Sequence, residues 1–267
     1  MAYFKRFILM MQFLTSIPLN VKIKDEREDF GKGLSAAPVV GLVIGLLLAA
    51  GNYLLKMLFP AIVSAVLTVA LYILLTGGLH LDGLGDTADG LFSNRPKDKI
   101  LEIMKDSRVG TNAVLAVMLV LLLYISIISS LGSESGIILL LMPVAGRIGS
   151  LIGSGTSRYA GMSDGPGRWC VECCGRKEII SGLVAYILIF AAVFTAGYFI
   201  TYGSRGVSIP GFRIAAYLHL IVIPPITAFL LARLLGRKLG GVTGDILGAV
   251  CELNQVIFLL TALLLHN

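Results

Sequence analysis

Apolar positions in this chain come in long unbroken runs rather than in alternation. Stretches of about 20 residues recur at 34–58, 61–81, 112–131, 137–154, 179–202, 214–235 and 246–265, each close to the length at which an α-helix crosses a hydrocarbon layer. An eighth run, 3–19, is shorter, and Pro18 and the charge cluster Lys22 to Asp29 end it. It is compatible with a span, an interfacial helix or a re-entrant segment. The pattern predicts an all-α fold: a polytopic integral membrane bundle of about seven or eight spans, in one domain covering 1–267. Composition agrees, with 56% hydrophobic and 14% charged residues, where soluble domains carry about a quarter charged. The opening run keeps Lys5 and Arg6 but lacks a small-residue cleavage site, so no secretory leader is expected.

The polar positions sort by side. Alternating the seven secure spans places 16 of the 22 basic residues on one face, in the loops around Lys22–Lys32, Arg95–Arg108, Arg158–Lys177 and Arg233–Lys238. The opposite face holds Lys56, Arg205 and Arg213. The positive-inside rule makes the rich face cytoplasmic, in a cell (inner) membrane protein. This accounts for the net charge of +6 without a nucleic-acid partner; membrane lipid is the partner expected instead. Fifteen of the sixteen carboxylates share the rich face, Glu134 being the exception. Topology does not require that, whereas chemistry concentrated at that face does.

The densest chemistry is Thr76 to Gly90, TGGLHLDGLGDTADG. Asp82, Asp86 and Asp89 fall within about 60° of one another on a helix, over about 10 Å of its length. Charges at mid-bilayer cost about 2.5–3.5 kcal/mol each on insertion scales, so this face does not meet lipid. Interleaved glycines allow close approach and a break in the helix. Magnesium takes one or two carboxylates together with phosphate oxygens and water, which fits this face better than a solvated helix end does. His80 alone reads first as a hydrogen-bonded packing residue.

Three further groups stand out. Pro96 and the apolar face Ile100, Leu101, Ile103 and Met104 predict a short interfacial amphipathic helix near 97–107. Glu102 and Asp106 share its other face, with Arg95, Lys99 and Arg108 nearby. In RKLGGVTGDILGAVCE (237–252), glycines precede a helix beginning near Asp245. Free N–H groups there, with Arg237 and Lys238 beside them, suit a phosphate, although a tight turn between spans needs glycines equally. Arg147 lies inside a span and is expected to pair with an acid or a substrate phosphate. Cys170, Cys173 and Cys174 lack a second ligand pair at zinc spacing, and a structural role is the simpler reading. Asn20–Asp29 and Ser157–Lys177 are polar loops whose roles the residues leave open.

Taken together, FLTSIP (13–18), GGLHLDGLGDTADG (77–90), LEIMKDSRVGT (101–111) and LGGVTGDILGA followed by Glu252 (239–252) resemble the cobalamin synthase (adenosylcobinamide-GDP ribazoletransferase) family. The similarity runs over essentially the whole chain. It departs at Tyr159–Cys174, where relatives carry a basic, glycine-containing loop, and at Gln255, where a second glutamate is expected. The resemblance implies a phosphotransferase-type enzyme in the membrane. In it, the 3′-hydroxyl of α-ribazole, or of its 5′-phosphate, attacks the cobinamide-linked phosphorus of adenosylcobinamide-GDP and GMP leaves. Asp82, Asp86 and Asp89 are then expected to hold one or two Mg²⁺, and Arg95 and Arg108 to clamp phosphate oxygens. Glu102, Asp106 or Asp245 would accept the hydroxyl proton. His80, Arg147, Arg237, Lys238, Thr243, Gly244 and Glu252 are the remaining expected substrate contacts. The rival readings are a cation-coupled secondary transporter and a CDP-alcohol phosphotransferase, whose DGxxAR pattern is absent. Oligomeric state is open, a homo-oligomer included.

Overall fold

The computed structural model describes residues 2–21, 27–132, 135–202 and 211–266. Lys22 to Glu26, Glu134 and Arg205 lie outside the described residues, as does the side chain of Arg213. The described chain is helical: α1 (Ala2–Leu14), α2 (Arg27–Gly33), α3 (Ala37–Leu58), α4 (Ala61–Thr76), α5 (Leu79–Phe92) and α6 (Lys97–Ile103), then α7 (Thr111–Ser130), α8 (Ser135–Thr156), α9 (Pro166–Cys173), α10 (Arg176–Tyr202), α11 (Gly211–Gly236) and α12 (Gly244–His266). A 3-10 turn at Leu34–Ala36 joins α2 to α3. Among the described residues there is no strand, only an isolated parallel bridge between Tyr159 and Val242.

Six helical stretches are long and apolar enough to cross a membrane, or seven if α4 and α5 are counted as one bent span. Two of the predicted runs account for the difference from eight. Run 3–19 yields α1, whose 13 residues reach only about 20 Å. Run 61–81 is not one helix. It stops at Thr76, and Gly77 (φ 62°) and Gly78 (φ 70°) both adopt the left-handed conformation. Only glycine takes that conformation without strain. From this turn α5 departs at 91° to α4, with Asp82 N–H bonding back to Gly78 O at 2.9 Å. Hydropathy averaged over a window passes straight through such a break.

The centre of the bundle is α8 and α12, which are largely buried; α7, α10 and α11 are mostly exposed and form the flanks. Apolar side chains on those flanks, such as Leu115, Leu119, Leu188, Leu230 and Leu234, are exposed, as suits helices facing lipid tails. Small residues let the inner helices touch. A Cβ at Gly146 would sit 2.7 Å from Gln255 Cγ, and one at Gly149 3.3 Å from Asn254 Nδ2. The tightest crossing is α3 against α8, where a Cβ on Gly45 would lie 2.0 Å from Leu140 O. Gly45→Val therefore cannot be absorbed by moving a side chain. We expect a loss of about 1–3 kcal/mol, read as a lowered unfolding temperature of the purified protein in detergent.

The short helices gather at one end. The acid–base pair Arg27–Glu172 ties α2 to α9, and Asp29 accepts from Lys5 Nζ (2.6 Å) and Arg6 Nε (3.3 Å) of α1. The polar loop 157–177 thus contains α9, and the loop 20–29 runs into the start of α2. Pro166 and Gly165, which open α9, were the available signal. Cys170 and Cys174 are buried free thiols within this packing.

Candidate active site

Helix α5 presents two unlike faces. At 100° per residue, His80, Leu84, Thr87 and Leu91 point opposite to Asp82, Asp86 and Asp89. His80 and Thr87 are buried, whereas Asp82 is exposed and Asp86 and Asp89 are half-buried. The predicted common face of the three aspartates is therefore present, on a helix lying across α4 rather than extending it.

A second carboxylate carrier is brought alongside by backbone contact. A Cβ on Gly83 would stand 2.9 Å from Asp245 O, and one on Gly248 would stand 3.2 Å from His80 Cα. These close approaches set the first turn of α12 against the first half of α5. Thr243 caps α12, its Oγ1 accepting from Ile246 N at 3.2 Å. Asp245 then lies within electrostatic reach of Asp82 and Asp86. None of Asp82, Asp86, Asp89 and Asp245 forms an ion pair among the described residues, although eight such contacts exist elsewhere. Four neighbouring acids without a bridging cation are mutually repulsive.

Asp89 is engaged differently from the other two. Its Oδ2 accepts from Gly110 N at 2.7 Å and its Oδ1 from Ala113 N at 2.9 Å, so it caps the start of α7. Both oxygens of this one of the three expected metal ligands thus carry backbone hydrogen bonds. The carboxylate rests directly on Gly110, where a Cβ would be 2.4 Å from Oδ1. Gly110→Ala should push it off the α7 amides and cost about 1–2 kcal/mol, the worth of a helix cap. Thermal unfolding of the variant measures this.

Beside Asp245 opens a cavity of about 220 Å³ between α6, the 159–167 segment and the start of α12. Lys105, Tyr159, Asp164, Thr243, Gly244 and Asp245 are on its wall. Thr243 and Gly244, expected to contact substrate, are thus on this wall. Lys105, Tyr159 and Asp164 were not among the candidates, because nothing in their spacing links them to the aspartates.

The other expected residues fall into three groups. Arg95 and Arg108 are exposed, and Arg108 is committed to Asp106, Nη2 to Oδ2 at 2.6 Å. The Arg108 side chain and then its backbone N–H hold the Asp106 carboxyl down at about 2, so Asp106 is a poor proton acceptor near neutrality. Glu102 pairs with Lys99 at 2.6 Å. Lys238 donates to Leu91 O at 3.0 Å, pinning the end of α5, and Arg237 lines a separate cavity.

Arg147, Glu252 and His80 form the third group, and they lie inside the protein rather than at a substrate surface. Arg147 is 0% exposed and its Nη1 donates to Cys251 Sγ at 3.3 Å. Glu252, also 0% exposed, accepts from Tyr72 OH at 2.6 Å and Tyr124 OH at 2.7 Å. Gln255 Nε2 donates to both tyrosine oxygens. His80 Nδ1 has no hydrogen-bond partner. Depth in the bundle separates these three from the aspartate face, and Arg147 Nε and Nη2, like His80 Nδ1, find no hydrogen-bond partner among the described residues. Ligand atoms of His80, Cys251 and Glu252 lie within 4.8 Å of one another. The tyrosines already occupy Glu252, however, and the Arg147 charge opposes a cation there.

The acid face does suit a hard divalent cation. Asp82 and Asp86 are oxygen donors without a competing cation, and two carboxylates leave the remaining positions to water and phosphate oxygens, as Mg²⁺ requires.

The model of the cobalamin-5-phosphate synthase family matches residues 6–263. The adenosylcobinamide-GDP ribazoletransferase of Acetivibrio thermocellus is 50% identical over 97% of this chain and 98% of its own. The enzyme of that name from Clostridium acetobutylicum is 46% identical over 98% and 96%, and that from Clostridioides difficile 36% over 98% of each. No solved structure matches the chain. The apolar spans, the aspartate helix and the capped Gly-Asp turn of α12 thus sit in a chain matched nearly end to end, which belongs to the cobalamin-5-phosphate synthase family.

Proposed function

We propose that this chain transfers the adenosylcobinamide phosphate of adenosylcobinamide-GDP to α-ribazole or its 5′-phosphate, closing the nucleotide loop of the corrinoid and releasing GMP. The observation that carries the reading is the set of carboxylates Asp82, Asp86 and Asp245, none in an ion pair among the described residues, with Asp245 on the wall of an open cavity. Asp82 and Asp86 would hold Mg²⁺, which supplies neutralisation of the diphosphate oxygens. Asp245 forms no ion pair among the described residues and lines the cavity, whereas Glu102 and Asp106 are held by Lys99 and Arg108. We therefore assign Asp245 to accept the ribazole 3′-hydroxyl proton as its oxygen bonds to the cobinamide-linked phosphorus and the bond to the GMP oxygen breaks. Lys105 and the free amides at the start of α12 would orient phosphate oxygens in the cavity.

The lysine- and arginine-rich loops support placing this face at the cytoplasmic side of the cell membrane. The test is direct. The purified chain in lipid nanodiscs, given adenosylcobinamide-GDP and α-ribazole, should release GMP and form the corrinoid product in equal amounts, and chelation of Mg²⁺ should stop both. Labelled-cation uptake into proteoliposomes without GMP release would instead indicate a transporter.

A further inference from the structure

On the far side of the 158–160 segment from Asp245 lies a second cavity, of about 570 Å³. The two are separated by the short pairing of Val242 N with Arg158 O (2.8 Å) and Ala160 N with Val242 O (2.9 Å). Arg158, Arg233 and Arg237 all line the second cavity, with Gly236, Gly240 and Gly241 as floor. All three arginines are exposed, and none of them pairs with a carboxylate among the described residues. Arg233 keeps a contact to Thr156 O (3.5 Å) and stacks over Phe229, 5.2 Å from its ring centroid. Three guanidinium groups around one opening repel one another until an anion joins them, and guanidinium forks match phosphate oxygens.

What lies below the arginines selects the anion. Ile226, Phe229 and Leu230 are exposed and fall with Arg233 and Arg237 in one sector of about 100° along α11. An apolar stripe thus runs down the outer flank of the bundle and ends in the arginine cluster. A free phosphate has no use for the stripe; a two-tailed phospholipid uses both parts. We propose that this cavity binds the phosphate head group of an anionic phospholipid from the leaflet on the basic side, its chains lying along Ile226, Phe229 and Leu230. The bound lipid braces the paired segments 158–160 and 241–242, whose other side carries Tyr159, Thr243 and Asp245. Arg237, which the sequence suggested for the substrate, belongs to this cavity.

The experiment is native mass spectrometry of the detergent-purified full chain, offered equimolar phosphatidylglycerol and phosphatidylcholine of identical chains. Juxtamembrane arginines favour anionic lipid by roughly fivefold each, so at least about a tenfold preference for phosphatidylglycerol is expected. Arg158→Gln/Arg233→Gln/Arg237→Gln should abolish it, each single substitution should weaken it severalfold, and the triple Arg→Lys variant should keep most of it. Equal retention of both lipids by the unaltered chain would overturn the proposal, as would a preference that survives the triple Gln substitution. The single variants keep the test decisive if the triple one does not fold. Loss of bound phosphatidylglycerol on adding millimolar inorganic phosphate or GMP would assign the cavity to a soluble phosphate instead, and overturn the lipid.

Discussion

Asp82→Asn and Asp86→Asn should each lower GMP release by about 10²–10³-fold or more, the usual cost of removing one preorganised group that stabilises transition-state charge. Both substitutions preserve shape, so the fold should survive them. What they remove is charge: Asp82 is exposed on the common face, and Asp86 stands between Asp82, Asp89 and Asp245. Mn²⁺ binding followed by electron paramagnetic resonance gives a readout independent of turnover, and it should weaken in both variants. Asp89→Asn should differ. Gly110 N and Ala113 N donate to different oxygens of Asp89, and in Asn one of those oxygens becomes an NH2 donor facing an N–H, so that variant should also lose about 1 kcal/mol of stability with its α7 cap. Normal Mg²⁺-dependent turnover in the Asp82 and Asp86 variants would sink the metal assignment.

Glu252→Ala should be strongly destabilising. The side chain is fully buried and receives two tyrosine hydroxyls, and it stands within electrostatic reach of Arg147. Removing it strands the hydroxyls of Tyr72 and Tyr124. Each buried hydroxyl left without a partner costs about 1–3 kcal/mol. Glu252→Gln keeps an acceptor and a similar volume, so its loss should be smaller. Equilibrium unfolding in mixed micelles measures both. If Glu252 touched substrate instead, the KM of the folded fraction would rise while stability held, which is the opposite pattern.

The membrane spans were legible because hydrophobic run length is a coarse property that survives averaging. The common face of Asp82, Asp86 and Asp89 was legible because helical periodicity alone dictates it. The turn at Gly77–Gly78 was not, since two glycines barely change the hydropathy of a 20-residue window. Asp245 joined the site through Gly83 and Gly248, contacts 162 and 168 residues apart in the chain that no local pattern reveals. Arg147 was legible as a residue inside a span, but neither its neighbours nor the full burial of Glu252 could be read from the chain. Rarity of charge marks such residues as important, but both a site and a buried network satisfy that condition. Arg237 shows the same limit: a basic residue eight positions before the catalytic candidate Asp245 lines the opposite cavity.

The crossing of α5 and α12 has a bearing on how evolution could retune this enzyme. Because main chain meets main chain at Gly83 and Asp245, the spacing between acids of the two helices is inherited from the scaffold rather than from side-chain rotamers. The 159–167 wall lies outside that crossing, so its composition can vary without moving the helices that carry the acids.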